Sequence, residues 1–351
     1  MLDRKRLKPL DAVARLVGLQ AQVPRDPYVA LWSRLEGFRA SDLSDAIERR
    51  DAVRMPLLRA TLHLVTRRDA LTLRPVVDTV LDRSLNSQSP FGRAIQGVNV
   101  DELTAFASGL LAEQPRTRAQ LGPLLAEHWP GYDGPSLAYA CTYLLHLVQV
   151  TPRGLWKRNG SSAFTTLERW LGEPPAREAA PDEMVLRYLA AFGPATPADV
   201  RTWSGLAGVA EILDRLRPRV RVLQDDAHRE LFDAPRAPLP DPDLPAPVRF
   251  LPEYDNAVLS HADRSRIVTP ETRSWTQVGW GLVLVDGFTA ARWRAVSEKD
   301  RTTMRIEPFR RLTKSERHDV EQEASRLAHL LSDGEGGAVD VTRFGASQRS
   351  S

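Results

Sequence analysis

Two glutamines near the start of the chain have a spacing that suits a chemical role. In the stretch LVGLQAQVPRDPY, residues 16–28, Gln20 and Gln22 flank one small apolar residue, and Pro24 follows. Because proline disfavours helical geometry in the residue before it, the preceding helix is expected to end near Gln20. Residues two apart in an extended segment face the same side, so the two amides are predicted to converge on one small target, such as a water molecule or a base edge.

The amide group limits what such a pair can do. A neutral amide has no useful proton affinity, so it is neither a strong general base nor a nucleophile. It can hold a water molecule in place and offer a dipole to developing charge. The pair therefore suits a reaction whose leaving group already leaves well. The alternative, which spacing alone favours, is that Gln20 caps a helix and Gln22 is an ordinary surface residue.

Composition places these residues in a globular protein with more than one core. The chain has 351 residues, of which 42% are hydrophobic, and single cores stop growing near ~250–300 residues. It has no apolar run of the ~20 residues that a membrane helix needs, and its N-terminus does not resemble a signal peptide. The single cysteine excludes an intramolecular disulfide and a cysteine-based zinc site. These features predict a cytoplasmic protein, in which Cys141 is a buried hydrophobe rather than a nucleophile.

The charged residues permit a nucleic-acid partner without establishing one. The net charge is only +3, yet nearly all of the 48 basic residues are arginines, whose planar fork suits phosphates and base edges. The basic loop RGLWKRNG is the strongest candidate for phosphate contact, through Arg153, Lys157 and Arg158 beside Trp156. The alternative is that this loop is a solvated turn.

A repeated order of elements predicts the architecture. The stretches TRAQLGPLLAEHW and TPADVRTWSGL each begin with a capping threonine, Thr117 and Thr196, and each lies within a series of three helices followed by two β-rich runs. This series is typical of a winged helix, and the N-terminal segment fits it with helices at about 11–20 and 27–36. The sequence predicts an α+β protein with winged helices at 1–98, 99–175 and 176–234, a proline-rich linker at 235–247, a β-rich domain with a final helix at 248–335, and a frayed tail at 336–351.

Two further groups of polar residues are candidates for a site. His63 alternates with Leu62 and Leu64, so it points away from that apolar face, where it either makes a structural hydrogen bond or lines a channel. The stretch YDNAVLSHADR contains a polar cluster, namely Asp255, Asn256, His261, Asp263 and Arg264. Two ligands, His261 and Asp263, without an evident third argue against a metal site.

Three blocks of the sequence resemble the AlkZ/AlkX family of bacterial DNA glycosylases, whose second branch is also called YcaQ. The blocks are LVGLQAQVPRDPYVALWSRLEGF, RATLHLVTRRDAL and LPEYDNAVLSHADRSRI, and they extend over most of the chain. The resemblance implies three tandem winged helices and a β-rich C-terminal element in a C-shaped body around a DNA channel. It also implies a catalytic motif of Gln, a hydrophobic residue and Gln, which corresponds to Gln20, Ala21 and Gln22. The YcaQ branch has Asp at the second polar position, so the match is to the AlkZ branch.

What the resemblance implies about function agrees with the chemistry of the amides. Members of the AlkZ branch excise bulky alkylated purines and unhook interstrand crosslinks, and an N7-alkylated guanine is a cation that leaves as a neutral base. A monofunctional glycosylase acting on double-stranded DNA is therefore expected, without cofactor, metal or obligate protein partner, in DNA repair or self-resistance. The resemblance further implies a DNA-facing or framework role for Asn256, His261 and Arg264, and Arg59 and His63 are also predicted to contact DNA. The rival hypotheses are a non-enzymatic winged-helix regulator and a protein scaffold.

Overall fold

The chain folds into two compact units, seen in a computed structural model. The structure describes residues 3–85, 88–241, 243–270, 272, 279–298, 301–342 and 344. The larger unit consists of residues 8–25 and 41–237, and the smaller unit of the described residues within 1–7, 26–40 and 238–351. No helix within these described ranges is long and apolar enough to cross a membrane.

The larger unit contains most of the helices. They are α1 (Pro9–Arg15), α3 (Ala40–Glu48), α4 (Arg67–Leu73), α5 (Asp78–Arg83), α6 (Pro90–Ala94), α7 (Val100–Glu113), α8 (Arg118–His128), α9 (Gly134–Leu144), α10 (Leu167–Leu171), α11 (Pro181–Phe192), α12 (Pro197–Ser204) and α13 (Val209–Leu216). Its strands are β1 (Leu19–Gln20), β2 (Ala52–Pro56), β3 (Leu62–Thr66), β4 (Arg116–Thr117), β5 (Leu147–Gln149), β6 (Ala163–Thr166), β7 (Arg221–Gln224) and β8 (Glu230–Asp233). Short 3-10 turns lie at Leu58–Ala60, Pro75–Val77 and Arg217–Arg219.

Six of these strands form one sheet in the order β1-β3-β2-β5-β6-β4, while β7 and β8 form a separate hairpin. The six-stranded sheet joins segments that the sequence assigned to two different winged helices, because β2 pairs with β5 where Arg54 lies opposite Gln149. The described residues of this unit form two apolar cores. One is built around Trp203 and Tyr188, and the other around Leu125 and Leu137.

The predicted starts of two helices are confirmed. Thr117 accepts a hydrogen bond from the backbone N–H of Gln120, whose side chain accepts from Thr117 in return. Thr196 and Asp199 make the same reciprocal pair at the start of α12. Because a helix begins with N–H groups that have no partner in the helix itself, these caps locate both starts from local sequence.

The predicted end of the first helix is wrong. Helix α1 ends at Arg15, about five residues before the expected point near Gln20. Val17 and Gly18 have φ of 53° and 96°, in the left-handed region, and they reverse the chain into β1. Gly18 is required there, since a Cβ would lie 2.8 Å from Val65 Cγ1 on β3.

The smaller unit is a five-stranded sheet with one long helix against it. The elements are α2 (Asp26–Trp32), β9 (Arg249–Leu251), α14 (Asn256–Leu259), β10 (Gly281–Val285), β11 (Phe288–Glu298), β12 (Arg301–Pro308), α15 (Lys314–Leu331) and β13 (Ala338–Val341). The strand order is β13-β12-β11-β10-β9. The core contains Trp32 of α2, Trp293 and Ile306 of the sheet, and Leu327 of α15, so the predicted β-rich region with a final helix is present.

Part of the predicted tail is ordered. Residues 338–341 form β13, which pairs in parallel with β12, because the otherwise open edge of β12 offers backbone hydrogen bonds to this segment. The expectation of a frayed segment is wrong for these four residues, whereas residues 343 and 345–351 lie outside the described residues. The described parts of the predicted linker, 235–241 and 243–247, form neither helix nor strand.

The predicted α+β class is confirmed by these elements. The division into three winged helices, the domain boundaries and the C-shaped arrangement stay predictions. The sequence did not indicate that residues 26–40 fold with the C-terminal residues, which they do through α2.

Candidate active site

The two glutamines lie beside β3, at the edge of the six-stranded sheet. In β1, Gln20 is the cross-strand partner of His63, so their side chains share one face of the sheet. Gln20 is buried, with 8% of its surface exposed, whereas Gln22 is exposed. The side-chain oxygen of Gln22 accepts a hydrogen bond from the backbone N–H of Leu62 at 3.4 Å.

The side chain of Gln20 is held by an arginine and does not cap α1. Arg59 Nη2 donates to Gln20 Oε1 at 3.1 Å, while the groups at the end of α1 bond to Ala12 and Ala14. The alternative interpretation of Gln20 as a helix cap is therefore wrong. Convergence of the two amides on one target stays a prediction.

The backbone between the two glutamines is fixed on both sides. The N–H of Ala21 donates to the carbonyl of Leu62 at 2.8 Å, and the carbonyl of Ala21 accepts from Arg54 Nη2 at 2.5 Å. Arg54 is buried at the centre of the sheet, and its guanidinium also donates to the side-chain oxygen of Gln149. Sequence reasoning missed Arg54, although a single charged residue inside the apolar stretch AVRMPLL was a signal for it.

Arg59 lies in the turn of the β2–β3 hairpin. Arg59 and Ala60 have φ of 53° and 54°, so two adjacent residues other than glycine adopt the left-handed conformation. Such conformations cost about 1 kcal/mol or more each and persist where surrounding contacts impose them. Here Arg59 Nη1 donates to the carbonyl of Trp203 at 2.8 Å, and Tyr143 Oη donates to the carbonyl of Ala60 at 3.2 Å.

His63 is fully buried behind Arg59. Its Nδ1 lies 3.0 Å from the carbonyl of Thr61, which can only accept, so Nδ1 carries the proton. Its Nε2 lies 3.5 Å from Arg59 Nη2, which can only donate, so Nε2 is the acceptor. Burial, and secondly the charge of Arg59, lower the pKa of His63 to about 3. His63 thus has the structural hydrogen bond that the sequence offered as one alternative, and DNA contact by this buried residue stays a prediction.

The basic loop lies between β5 and β6 in the same unit. Lys157 and Arg158 are exposed, whereas Arg153 is half-buried and donates to the carbonyl of Gly160 at 3.2 Å. Gly154 of this loop packs against Arg54, since a Cβ on it would lie 2.6 Å from Arg54 Cδ. The loop therefore contacts the arginine that holds Ala21.

The polar cluster of the C-terminal region belongs to the smaller unit. Asp255 binds Arg34 through both carboxylate oxygens, at 2.6 and 2.9 Å, and caps α14. Asn256 is buried beside it. Nδ1 of His261 lies 2.9 Å from Ser260 Oγ and its Nε2 lies 2.5 Å from Arg266 Nη1. Asp255 and Asn256 thus form part of the framework.

Two other sequence candidates in this cluster lie on its surface. Asp263 Oδ1 accepts a hydrogen bond from the N–H of Ser265 at 2.9 Å, and Arg264 is exposed. DNA contact by Arg264, and equally by Asn256 and His261, stays a prediction.

The single cysteine is not available as a nucleophile. Cys141 is fully buried in the core around Leu125, and burial raises the pKa of its thiol to about 12. A thiolate is the reactive form, so Cys141 is unreactive at neutral pH. Its interpretation as a small buried hydrophobe agrees with this environment.

Comparison with known proteins identifies the family of this chain. The model of the AlkZ-like DNA glycosylase family matches residues 13–330, and the chain belongs to that family. Among solved structures it is similar to the DNA glycosylase AlkZ of Streptomyces sahachiroi, with a TM-score of 0.77 and 21% identity over 97% of this chain and 95% of that one. The two proteins therefore share a fold. No curated protein sequence matched the chain.

Proposed function

We propose that this protein hydrolyses the N-glycosidic bond of N7-alkylated purines in double-stranded DNA and leaves an abasic site. The observation that carries the proposal is the pair of amides at Gln20 and Gln22, attached to the β2–β3 hairpin through Arg59 and the backbone of Leu62. The family of the chain consists of DNA glycosylases, which makes an N-glycosidic bond the relevant target.

The main requirement of this reaction is that the protein positions a water molecule. The alkylated base leaves with the electron pair of its C–N bond, which neutralises its positive charge. The sugar becomes oxocarbenium-like, and water held by the two amides adds to its anomeric carbon and loses a proton to solvent. No step requires a strong base, in agreement with the amide chemistry of Gln20 and Gln22.

The surroundings of the motif favour a monofunctional enzyme. A glycosylase that also cleaves the strand needs an amine to form a Schiff base. In the part of the chain that the structure describes, the side chains of Gln20 and Gln22 are held by Arg59 and the backbone of Leu62, and neither group is such an amine. Because the two amides position water and neither can form a Schiff base, we expect the product to be an abasic site in an intact strand.

The substrate class follows from the family branch that the motif indicates. We expect bulky or crosslinked N7-alkyl adducts to be accepted, with roles in DNA repair or in self-resistance to a genotoxic natural product. The exposed cations Lys157 and Arg158 would bind phosphate groups of the DNA. Since the substrate is chromosomal DNA, we expect the protein to act in the cytoplasm, at the nucleoid.

A strand-break assay tests the proposal. Duplex DNA containing N7-alkylguanine is incubated with protein, and abasic sites are then cleaved with hot alkali. We expect strand breaks with the wild type, at least about 100-fold fewer with the Gln20→Ala, Gln22→Ala double variant, and wild-type levels with Gln224→Ala, which changes an exposed glutamine on β7. Equal strand breaks from wild type and double variant would contradict the proposal. Sequence-selective binding without cleavage would instead indicate a regulator.

A further inference from the structure

Arg59 connects three groups of the candidate site through one guanidinium. Its Nη1 donates to the carbonyl of Trp203 at 2.8 Å, and its Nη2 donates to Gln20 Oε1 at 3.1 Å and lies 3.5 Å from His63 Nε2. The first contact attaches the arginine to the end of α12, and the second attaches it to Gln20. The left-handed backbone of the hairpin turn directs the side chain into this position.

From these contacts, and resting on the proposed function, we infer that Arg59 is a positioning residue that holds the amide of Gln20 for the reaction. A carbonyl oxygen has two lone pairs, and Arg59 engages one of them. In the part of the chain that the structure describes, the side chain of Gln20 is held through this oxygen alone. The two N–H groups and the second lone pair are therefore left for water or substrate.

His63 completes the arrangement from the buried side. Its proton is on Nδ1 and bonded to Thr61, so Nε2 presents a lone pair to Arg59. A neutral imidazole in this tautomer accepts from the guanidinium, whereas a protonated one would repel it. Gln20 and His63 lie directly opposite each other in β1 and β3, which places both acceptors within reach of the same Nη2.

This role differs from the DNA contact predicted for Arg59 from the sequence, which would be a contact to phosphate if it were electrostatic. Removal of an arginine that neutralises a phosphate weakens DNA binding and makes the slope of log affinity against log salt about 0.9 less steep. An arginine that orients Gln20 changes the rate of the bound complex and leaves that slope unchanged. The two roles are therefore separable by measurement.

The test compares Arg59→Met with two matched arginine variants of the full chain. Arg83→Met removes a guanidinium that donates to the carbonyl of Gly205 at 2.7 Å, just beyond the end of α12, without a contact to Gln20. Arg158→Met removes an exposed cation of the basic loop. Each is measured by single-turnover cleavage with saturating protein and by fluorescence anisotropy on unmodified duplex at several salt concentrations.

We expect Arg59→Met to lower the single-turnover rate ~10- to 100-fold with an unchanged salt slope, and Arg59→Lys to recover part of that rate. Arg83→Met should match the wild type in both measurements, and Arg158→Met should reduce the steepness of the salt dependence. In a Gln20→Ala background, the addition of Arg59→Met should lower the single-turnover rate by less than about threefold, since Arg59 acts through Gln20. The inference would be overturned if Arg59→Met reduced the steepness of the salt dependence without changing the rate. It would also be overturned if the rate losses of Arg59→Met and Gln20→Ala multiplied in the double variant.

A second measurement does not depend on activity. The side-chain amide resonances of Gln20, identified by their loss in Gln20→Ala, should shift in Arg59→Met and stay in place in Arg83→Met. Unchanged resonances in Arg59→Met would contradict the inference even if the protein cleaved no substrate. An inactive wild type with the expected shift would instead reject the proposed function and leave the arginine contact established.

Discussion

The imidazole of His63 stays neutral in the folded protein because burial removes its hydration and Arg59 repels a second positive charge. These two causes, in that order, lower its pKa from 6.5 to about 3. In the unfolded chain the same imidazole binds a proton below about pH 6.5. Between pH 6.5 and 3 the unfolded state therefore holds more protons than the folded state, and the free energy of unfolding decreases as the pH falls.

This linkage gives a prediction for His63→Gln. Each pH unit below 6.5 costs the wild type about 1.4 kcal/mol through this group, or about 2 kcal/mol at pH 5. Between pH 7.5 and pH 5, the free energy of unfolding, measured with urea, should decrease by about 2 kcal/mol less in the variant than in the wild type. The control variant His228→Asn changes an exposed residue in the turn between β7 and β8. Its free energy of unfolding should change between the two pH values as much as that of the wild type. An unchanged pH dependence in His63→Gln would show that His63 is not the responsible group.

At the level of elements, the position of the motif depends on how α1 is joined to β1. The helix ends at Arg15, and two left-handed residues, Val17 and Gly18, bring the chain against β3 within a single turn. Leu19 and Gln20 then pair with Leu64 and His63. The approach is so close at Gly18 that only a residue without a Cβ fits.

Replacing Gly18 with alanine should disturb this junction. The new Cβ would lie 2.8 Å from Val65 Cγ1, and the φ of 96° would strain any residue with a side chain. Gly131→Ala is a matched control, since its φ is 94° but no atom lies within 4 Å of the added Cβ. We expect Gly131→Ala to lower the free energy of unfolding by about 1 kcal/mol and Gly18→Ala by about 2–4 kcal/mol, with lower glycosylase activity. Equal decreases in the free energy of unfolding of the two variants, measured with urea, would show that the close contact with Val65 on β3 does not contribute.

At the scale of the whole molecule, opposite charges largely balance, and the distribution of cations becomes informative. The net charge is +3 among 48 basic and 45 acidic residues. On the two helices α13 and α15, arginines pair with acidic partners, as Arg215 does with Asp182 and Arg317 with Glu321. Lys157 and Arg158 are both exposed in one short loop that contacts Arg54 through Gly154.

A charge-matched pair of variants tests whether this loop binds phosphate. The Lys157→Ala, Arg158→Ala variant should lower the slope of log affinity against log salt by up to about 1.8, with an unchanged single-turnover rate at saturating protein. The Arg317→Ala, Arg326→Ala variant removes the same charge from α15 and should leave the slope nearly unchanged. Equal changes in both variants, measured by anisotropy, would indicate a general effect of net charge.

Local sequence determined those features whose causes lie within a few residues. The capped starts of α8 and α12 follow from reciprocal bonds across three residues, at Thr117 and Thr196, and the strands on either side of the basic loop follow from short apolar runs. The amide groups of Gln20 and Gln22 likewise determine, without reference to the fold, which chemistry the motif can support.

Only the tertiary structure decided which groups hold the motif. Arg59 and Gln20 are 39 residues apart, and Arg54 and Ala21 are 33 apart, so no local pattern could pair them. The burial of His63 arises in the same way, because its neighbours come from the hairpin turn and from β1. A side chain's partners and its exposure depend on which distant segments pack against it, and that information exists only once the sheet has formed.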